Sequence, residues 1–267
     1  MTSTTPSPTA PIGVFDSGVG GLSILSGLRE LLPHENLLYL ADSRYAPYGP
    51  KGEDFVRDRS CAIVDFLLER GAKAIVVACN TATAAAIALL RERYGVPLIG
   101  VEPAIKTAAK LSQRGIVGVL ATSGTIGSDK FSRLQDLFIG RMETLTCACP
   151  GLVELIEAPD FDAAAITALL EEFTAPIREK HADVLVLGCT HYSLIRDLIQ
   201  QVMGADVRIV DTDLAVARET KRRLEALNAL TPATQQGELH FFSSGDVAQQ
   251  KRLLARYWGE AMEVEVF

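Results

Sequence analysis

Two stretches of this chain repeat one another, and that repeat constrains the fold more than any other feature. Residues 72–81 read AKAIVVACNT and residues 182–191 read ADVLVLGCTH, 110 positions later. Each has an alanine, a charged residue, four apolar residues, a small residue, a cysteine and a polar pair. A second echo sets IGVFDS at 12–17 against VGVLAT at 117–122, 105 positions apart. Short apolar runs rich in β-branched residues are strands buried on both faces, as in a parallel sheet. Two echoes at similar offsets imply two related halves.

Strands are expected over Ile12–Phe15, Leu37–Leu40, Ala74–Ala78, Leu98–Val101, Ile116–Leu120, Val184–Leu187 and Val207–Val210. Between them lie helical patterns over Lys51–Arg70, Thr81–Tyr94 and Tyr192–Met203, followed by Gly71, Gly95 and Gly204 as helix stops. Strand–helix alternation of this kind is α/β architecture. The fold expected is two pseudo-symmetric α/β domains with mainly parallel sheets and an active site in the cleft between them. The first domain takes residues 11–101 plus 212–267 and the second takes 102–211. The closing segment, helical over Leu214–Leu227 and strand-like over Met262–Phe267, folds back onto the first half. Residues 1–10, MTSTTPSPTA, read as a disordered tail.

Composition narrows the function classes. With 48% hydrophobic and 22% charged residues the chain is an ordinary globular protein. A net charge of −7 lacks the electrostatic footprint of a nucleic-acid binder. No apolar run is long enough to span a bilayer, so no membrane partner is expected. Five cysteines, an odd number, and an opening stretch unlike a secretory leader point to free thiols and a cytoplasmic setting.

In both repeats the cysteine falls where a strand ends and a helix begins, with Asn80 or Thr81 capping one helix and Thr190 the other. There the helix dipole and free N–H groups favour an anion and stabilise thiolate. A buried cysteine also serves as a small hydrophobe, but the matched setting of Cys79 and Cys189 favours chemistry. Without C-x-x-C and with four histidines, no metal site is expected; Cys147 and Cys149 lie on one face of a strand. Two thiols on related halves suit a two-base proton transfer, one removing a proton from a carbon and the other supplying one to the opposite face. A disulfide switch between them is the alternative.

The loop Asp16-Ser17-Gly18-Val19-Gly20-Gly21 fits neither the dinucleotide fingerprint nor a P-loop. It offers N–H groups and the Ser17 hydroxyl to a carboxylate, with Asp16 accepting from an ammonium or acting as a plain cap. Asp42 to Gly49 is loop chemistry after the second strand. Thr122 and Thr125 add hydroxyls at the same rim, and His191 is a helix-start donor, a proton carrier or a packing residue.

DSGVGGLSI at 16–24, ADSRYAPYG at 41–49, ACNTATA at 78–84, GVEPAIK at 100–106, ATSGTI at 121–126, CPGLVELIE at 149–157 and LGCTHYSLI at 187–195 together resemble the glutamate racemases. The resemblance implies cofactor-independent interconversion of L- and D-glutamate, supplying D-glutamate for peptidoglycan. It implies that Cys79 deprotonates the D-enantiomer and Cys189 the L-enantiomer, assisted by Asp16 and His191 respectively. Asp42 and Glu157 match further acidic positions of the family. Substrate contacts are implied at Asp16, Ser17, Pro47, Tyr48, Gly49, Asn80, Thr81, Thr122, Thr125, Thr190 and His191. The partner is a small molecule, with room left for a homodimer. Two departures stand out: Ser193, where members commonly have Pro, and Thr212-Asp213, where a Ser-Gly-type sequence is usual. The rival readings are an aspartate racemase of the same fold and a binding protein for acidic amino acids.

Overall fold

The computed structural model describes residues 7–267. Its strands are β1 (Ile12–Asp16), β2 (Leu37–Ala41), β3 (Ala74–Val77), β4 (Leu98–Gly100), β5 (Ile116–Ala121), β6 (Glu143–Ala148), β7 (Val184–Leu187), β8 (Arg208–Val210), β9 (Leu239–Ser243) and β10 (Val264–Val266). The helices are α1 (Leu22–Leu31), α2 (Glu53–Glu69), α3 (Asn80–Arg93), α4 (Ile105–Leu111), α5 (Ser123–Ile126), α6 (Asp129–Asp136), α7 (Leu152–Ile156), α8 (Ala163–Glu179), α9 (Thr190–Ser193), α10 (Arg196–Met203), α11 (Asp213–Ala226) and α12 (Val247–Tyr257). Among the described residues no helix is long and apolar enough to cross a membrane.

The strands form two sheets, ordered β10-β9-β2-β1-β3-β4 and β6-β5-β7-β8, and every pairing is parallel. The sequence echoes occupy equivalent places. β1 and β5 are central, each flanked by the strand after it and by β3 or β7, the strand that carries the long repeat. The agreement reaches single residues. Gly13 lies across from Ile75 and Gly118 across from Leu185. A methyl group on either glycine would come within 2.8 Å of that partner's Cδ1.

Helix periodicity explains the cores. α2 buries Val56, Ser60, Ile63, Val64 and Leu67, one stripe at helical spacing, against Phe15, Leu40, Ile75 and Val77. The other face of this sheet packs Val14, Tyr39 and Val76 against Leu22, Leu25 and Leu28 of α1 and Val216 and Leu224 of α11. In the smaller sheet α8 sets Ile166, Leu170 and Ile177 on Leu120, Leu185 and Leu187. Ile105, Phe131 and Leu134 cover Val117, Val119 and Val186 on its far side. Each such buried side chain contributes about 1.5–3 kcal/mol.

Several expectations need correction. Of the tail expected over residues 1–10, residues 1–6 lie outside the described residues. Residues 7–10 form a turn (Ala10 N to Ser7 O, 3.0 Å), and Pro8 O accepts from the buried Lys73 Nζ at 2.5 Å. The helix expected over Tyr192–Met203 is two helices. Leu194 N and Ile195 N bond three residues back, tightening the chain, and Arg196 then turns aside to pair with Asp211 and Ile209 O. Gly71 and Gly204 have the positive φ of a helix stop, 80° and 85°. Gly95 does not, because Tyr94 is already extended at φ −115°, ψ 135°. The closing segment does return to the larger sheet, through β10 and through β9, whose Phe241 and Phe242 alternate between its two cores.

Candidate active site

The carboxyl ends of β1, β3, β5 and β7 converge on one cavity, where ligand sites of open α/β sheets lie. It is nearly closed, with a free volume of about 10 Å³, and is bordered by Ser17, Pro47, Tyr48, Gly49, Cys79, Asn80, Thr81, Thr122, Val153, Cys189, Thr190 and His191. Room of that size holds about one water molecule, so the walls must part to admit a larger ligand. The two cysteines reach it identically. Ala78 N bonds Phe15 O and Gly188 N bonds Leu120 O, each at 2.7 Å, and the next residue is the cysteine. Each cysteine is itself the N-cap, at φ −137°, ψ 122° for Cys79 and φ −137°, ψ 133° for Cys189. This corrects the expected caps: Asn80 and Thr190 are the first helical residues. Cys79 Sγ accepts from Ala82 N at 3.4 Å, a cap made by sulfur.

The surroundings of the two thiols differ in charge. Burial pushes the Cys79 thiol well up, and the neighbouring Asp16 adds to this against the Ala82 N–H. Cys79 is therefore a neutral thiol, donating to Ser17 Oγ at 3.8 Å. Cys189 Sγ instead stands 3.8 Å from His191 Nδ1. Burial disfavours the imidazolium, but the Cys189 and Glu157 hydrogen bonds and the charges of Glu157 and Asp16 outweigh it and hold His191 well above its ordinary range. His191 Nε2 bonds Glu157 Oε1 at 2.7 Å, and its Nδ1 lies 3.9 Å from Asp16 Oδ2. Burial raises the Asp16 carboxyl, opposed by His191 and by the Gly21 N–H, which donates to it at 2.8 Å.

Four residues expected at the site stand behind the cavity instead of bordering it. Asp16 is fully buried behind Ser17. Glu157 backs His191 and accepts from Val19 N at 2.8 Å. The loop N–H groups of Val19 and Gly21, expected to face a ligand, thus serve protein carboxylates. Thr125 lies one layer back: Thr122 caps its N–H, and its hydroxyl joins those of Thr81 (3.3 Å) and Thr122 (3.0 Å), which border the cavity. Asp42 is fully buried, with its carboxylate occupied by Tyr48 and Arg59. Val153 borders the cavity and was missed: a lone valine in CPGLVELIE carries no chemical signal.

The contacts across the cleft are close. Thr81 Oγ1 and Thr122 Oγ1 are 2.8 Å apart. A methyl on Gly20 would fall 2.6 Å from His191 N and 2.7 Å from Thr190 Oγ1, so only glycine lets the first loop seat α9. Asn80 Oδ1, buried and without a partner, is a free acceptor on a residue that borders the cavity. No group of acidic, histidine and cysteine side chains among the described residues is arranged to hold a metal.

Residues 14–220 match the family described as Asp/Glu/Hydantoin racemase. The chain is 49% identical over 259 residues to a glutamate racemase of Stutzerimonas stutzeri, covering 97% of each chain. Its fold matches glutamate racemase isoform RacE1 of Bacillus anthracis with a TM-score of 0.88, at 34% identity and 97% coverage of both. It matches the Francisella tularensis glutamate racemase in complex with D-glutamate at TM-score 0.84 and 27% identity, covering 97% and 98%. With two thiols capping equivalent helices on one cavity, and likeness running through nearly the whole length, the chain belongs to the Asp/Glu/Hydantoin racemase family, among the glutamate racemases.

Proposed function

We propose that this protein interconverts L- and D-glutamate by exchanging the Cα proton between Cys79 and Cys189. The observation that carries the reading is the pair of thiols, one from each sheet, at equivalent N-cap positions on a single cavity. Their charge environments set a direction of readiness. Cys189, with His191 Nδ1 3.8 Å from its Sγ, serves as the base and removes the α-proton of L-glutamate. The electron pair stays on Cα, spread into the carboxylate. The neutral thiol of Cys79 gives its proton to the opposite face, yielding D-glutamate, a Cys79 thiolate and a Cys189 thiol; the reverse sequence runs from D-glutamate.

The intermediate carries extra negative charge in a cavity whose lining is buried, where preorganised donors act most strongly. The Thr81, Thr122 and Thr190 hydroxyls and the starts of α3 and α9 supply such donors. Asn80 Oδ1 accepts from the substrate ammonium, and Ser17, Pro47, Tyr48 and Gly49 form the facing wall. Asp16 and Glu157 act through His191 and Cys79, as positioning groups. The reaction uses no cofactor; turnover is expected to survive dialysis against a chelator and treatment with a carbonyl trap. We assign the product to peptidoglycan synthesis in the cytoplasm, and the two-sheet division to two domains, residues 11–101 with 212–267 and residues 102–211.

Glutamate incubated in D2O with the protein tests the reading. Deuterium appearing at Cα of both enantiomers is expected. Glutamate that binds without exchanging would leave a binding protein, and exchange with aspartate in its place would keep the chemistry and change the substrate.

A further inference from the structure

The Asp42 carboxylate is held by two side chains. Its Oδ2 accepts from Tyr48 Oη at 2.5 Å and from Arg59 Nε at 2.9 Å, and its Oδ1 accepts from Arg59 Nη2 at 2.7 Å. The fork is planar and bidentate, which only arginine supplies. Arg59 itself packs against two rings: its guanidinium lies 4.3 Å from the Tyr45 ring centroid and 5.3 Å from that of Phe267. Phe267 is held by its N–H to Ser243 O and by its ring against Phe66, 4.7 Å between centroids. Three elements therefore converge on one guanidinium: α2, the loop after β2, and the segment beyond β10.

What this arrangement holds is the cavity wall. Tyr48 and Gly49 border the cavity, and Gly49 is also where the loop after β2 meets the smaller sheet. A methyl on Gly49 would come within 2.9 Å of Thr122 Cβ, and Ser123 Oγ donates to Gly49 O at 3.4 Å. We propose that Arg59 is a positioning residue for racemisation: through Asp42 it fixes Tyr48 and Gly49 as the substrate-facing wall that closes against Thr122. This deepens the functional reading above and rests on it. Asp42 is then a strut and takes no part as acid or base.

A wall that holds substrate equally in ground and transition states changes KM while leaving kcat in place. Arg59→Met is expected to raise the glutamate KM about tenfold with kcat changed less than about threefold. Arg59→Lys keeps the charge but loses the fork, and should fall between wild type and Arg59→Met. In Arg59→Met a buried carboxylate is left without its partner, so adding Asp42→Asn should bring KM back toward wild type. Melting temperatures of all three variants separate this from general unfolding. Wild-type KM in a folded Arg59→Met or Arg59→Lys, a parallel fall in kcat, or a double variant worse than the single would overturn the proposal. Absence of turnover in the wild-type protein would instead strike the functional reading itself.

Discussion

At the scale of single residues the site works by giving chemically identical thiols unlike neighbours. Cys79 faces Asp16 and is held as a thiol, whereas Cys189 faces a histidine that Glu157 and Asp16 keep charged. His191 is thus the residue on which the asymmetry depends, and Gly20 is what seats it. Substituting Gly20→Ala would place a methyl against His191 N and Thr190 Oγ1. A displacement of even an ångström at reacting groups costs about a hundredfold. Gly20→Ala is therefore expected to lower kcat at least tenfold with an unchanged far-UV circular dichroism spectrum; activity at the wild-type level would show that His191 is not held this way.

At the scale of elements, the crossing from the smaller sheet back to the larger one carries a titratable latch. The two departures from the usual family pattern meet here: the Asp213 carboxyl at the start of α11 is buried beside Ser193 of α9 and Ser23 of α1. Burial and then Asp211 raise it to about 7, against the hydroxyls and Arg196. An aspartate in the unfolded chain titrates near 3.9. Between about pH 4 and 7 the folded state keeps a proton that the unfolded state has lost, so stability falls as pH rises through that window. Asp213→Asn removes this cost. Its melting temperature should exceed that of wild type at pH 8, by a stabilisation of about 2–4 kcal/mol, and the gap should close toward pH 4. A gap independent of pH would contradict the assignment.

Element boundaries were legible to the degree that the physics is local. The apolar runs and helix stops located β3, β7 and α2 within a residue or two. β9 was not read, because LHFFS sets two aromatics side by side and breaks the alternation of apolar and polar residues, and its place comes from pairing with β2, some 200 residues away. The site shows the same limit. Motif strings identified the loops that gather at the cavity, but not which side chain of each loop turns inward. Asp16, Asp42, Thr125 and Glu157 stay off the cavity because backbone N–H groups, hydroxyls and Arg59 claim them; some of those partners are neighbours in sequence, such as Gly21 and Tyr48, and others, such as Val19 for Glu157, are brought up only by the fold.

At the scale of the whole molecule, the two sheets repeat one strand order, β2-β1-β3-β4 against β6-β5-β7-β8, and bring the same position of each repeat to one cavity. A nearly symmetric carbanion, attacked from either face, calls for such near-equivalent groups. The most direct test follows the circular dichroism of L-glutamate with the wild-type protein, Cys79→Ala and Cys189→Ala. The two-thiol account predicts decay to a racemic mixture with wild type and none with either variant. Decay at the wild-type rate with either cysteine removed would contradict it.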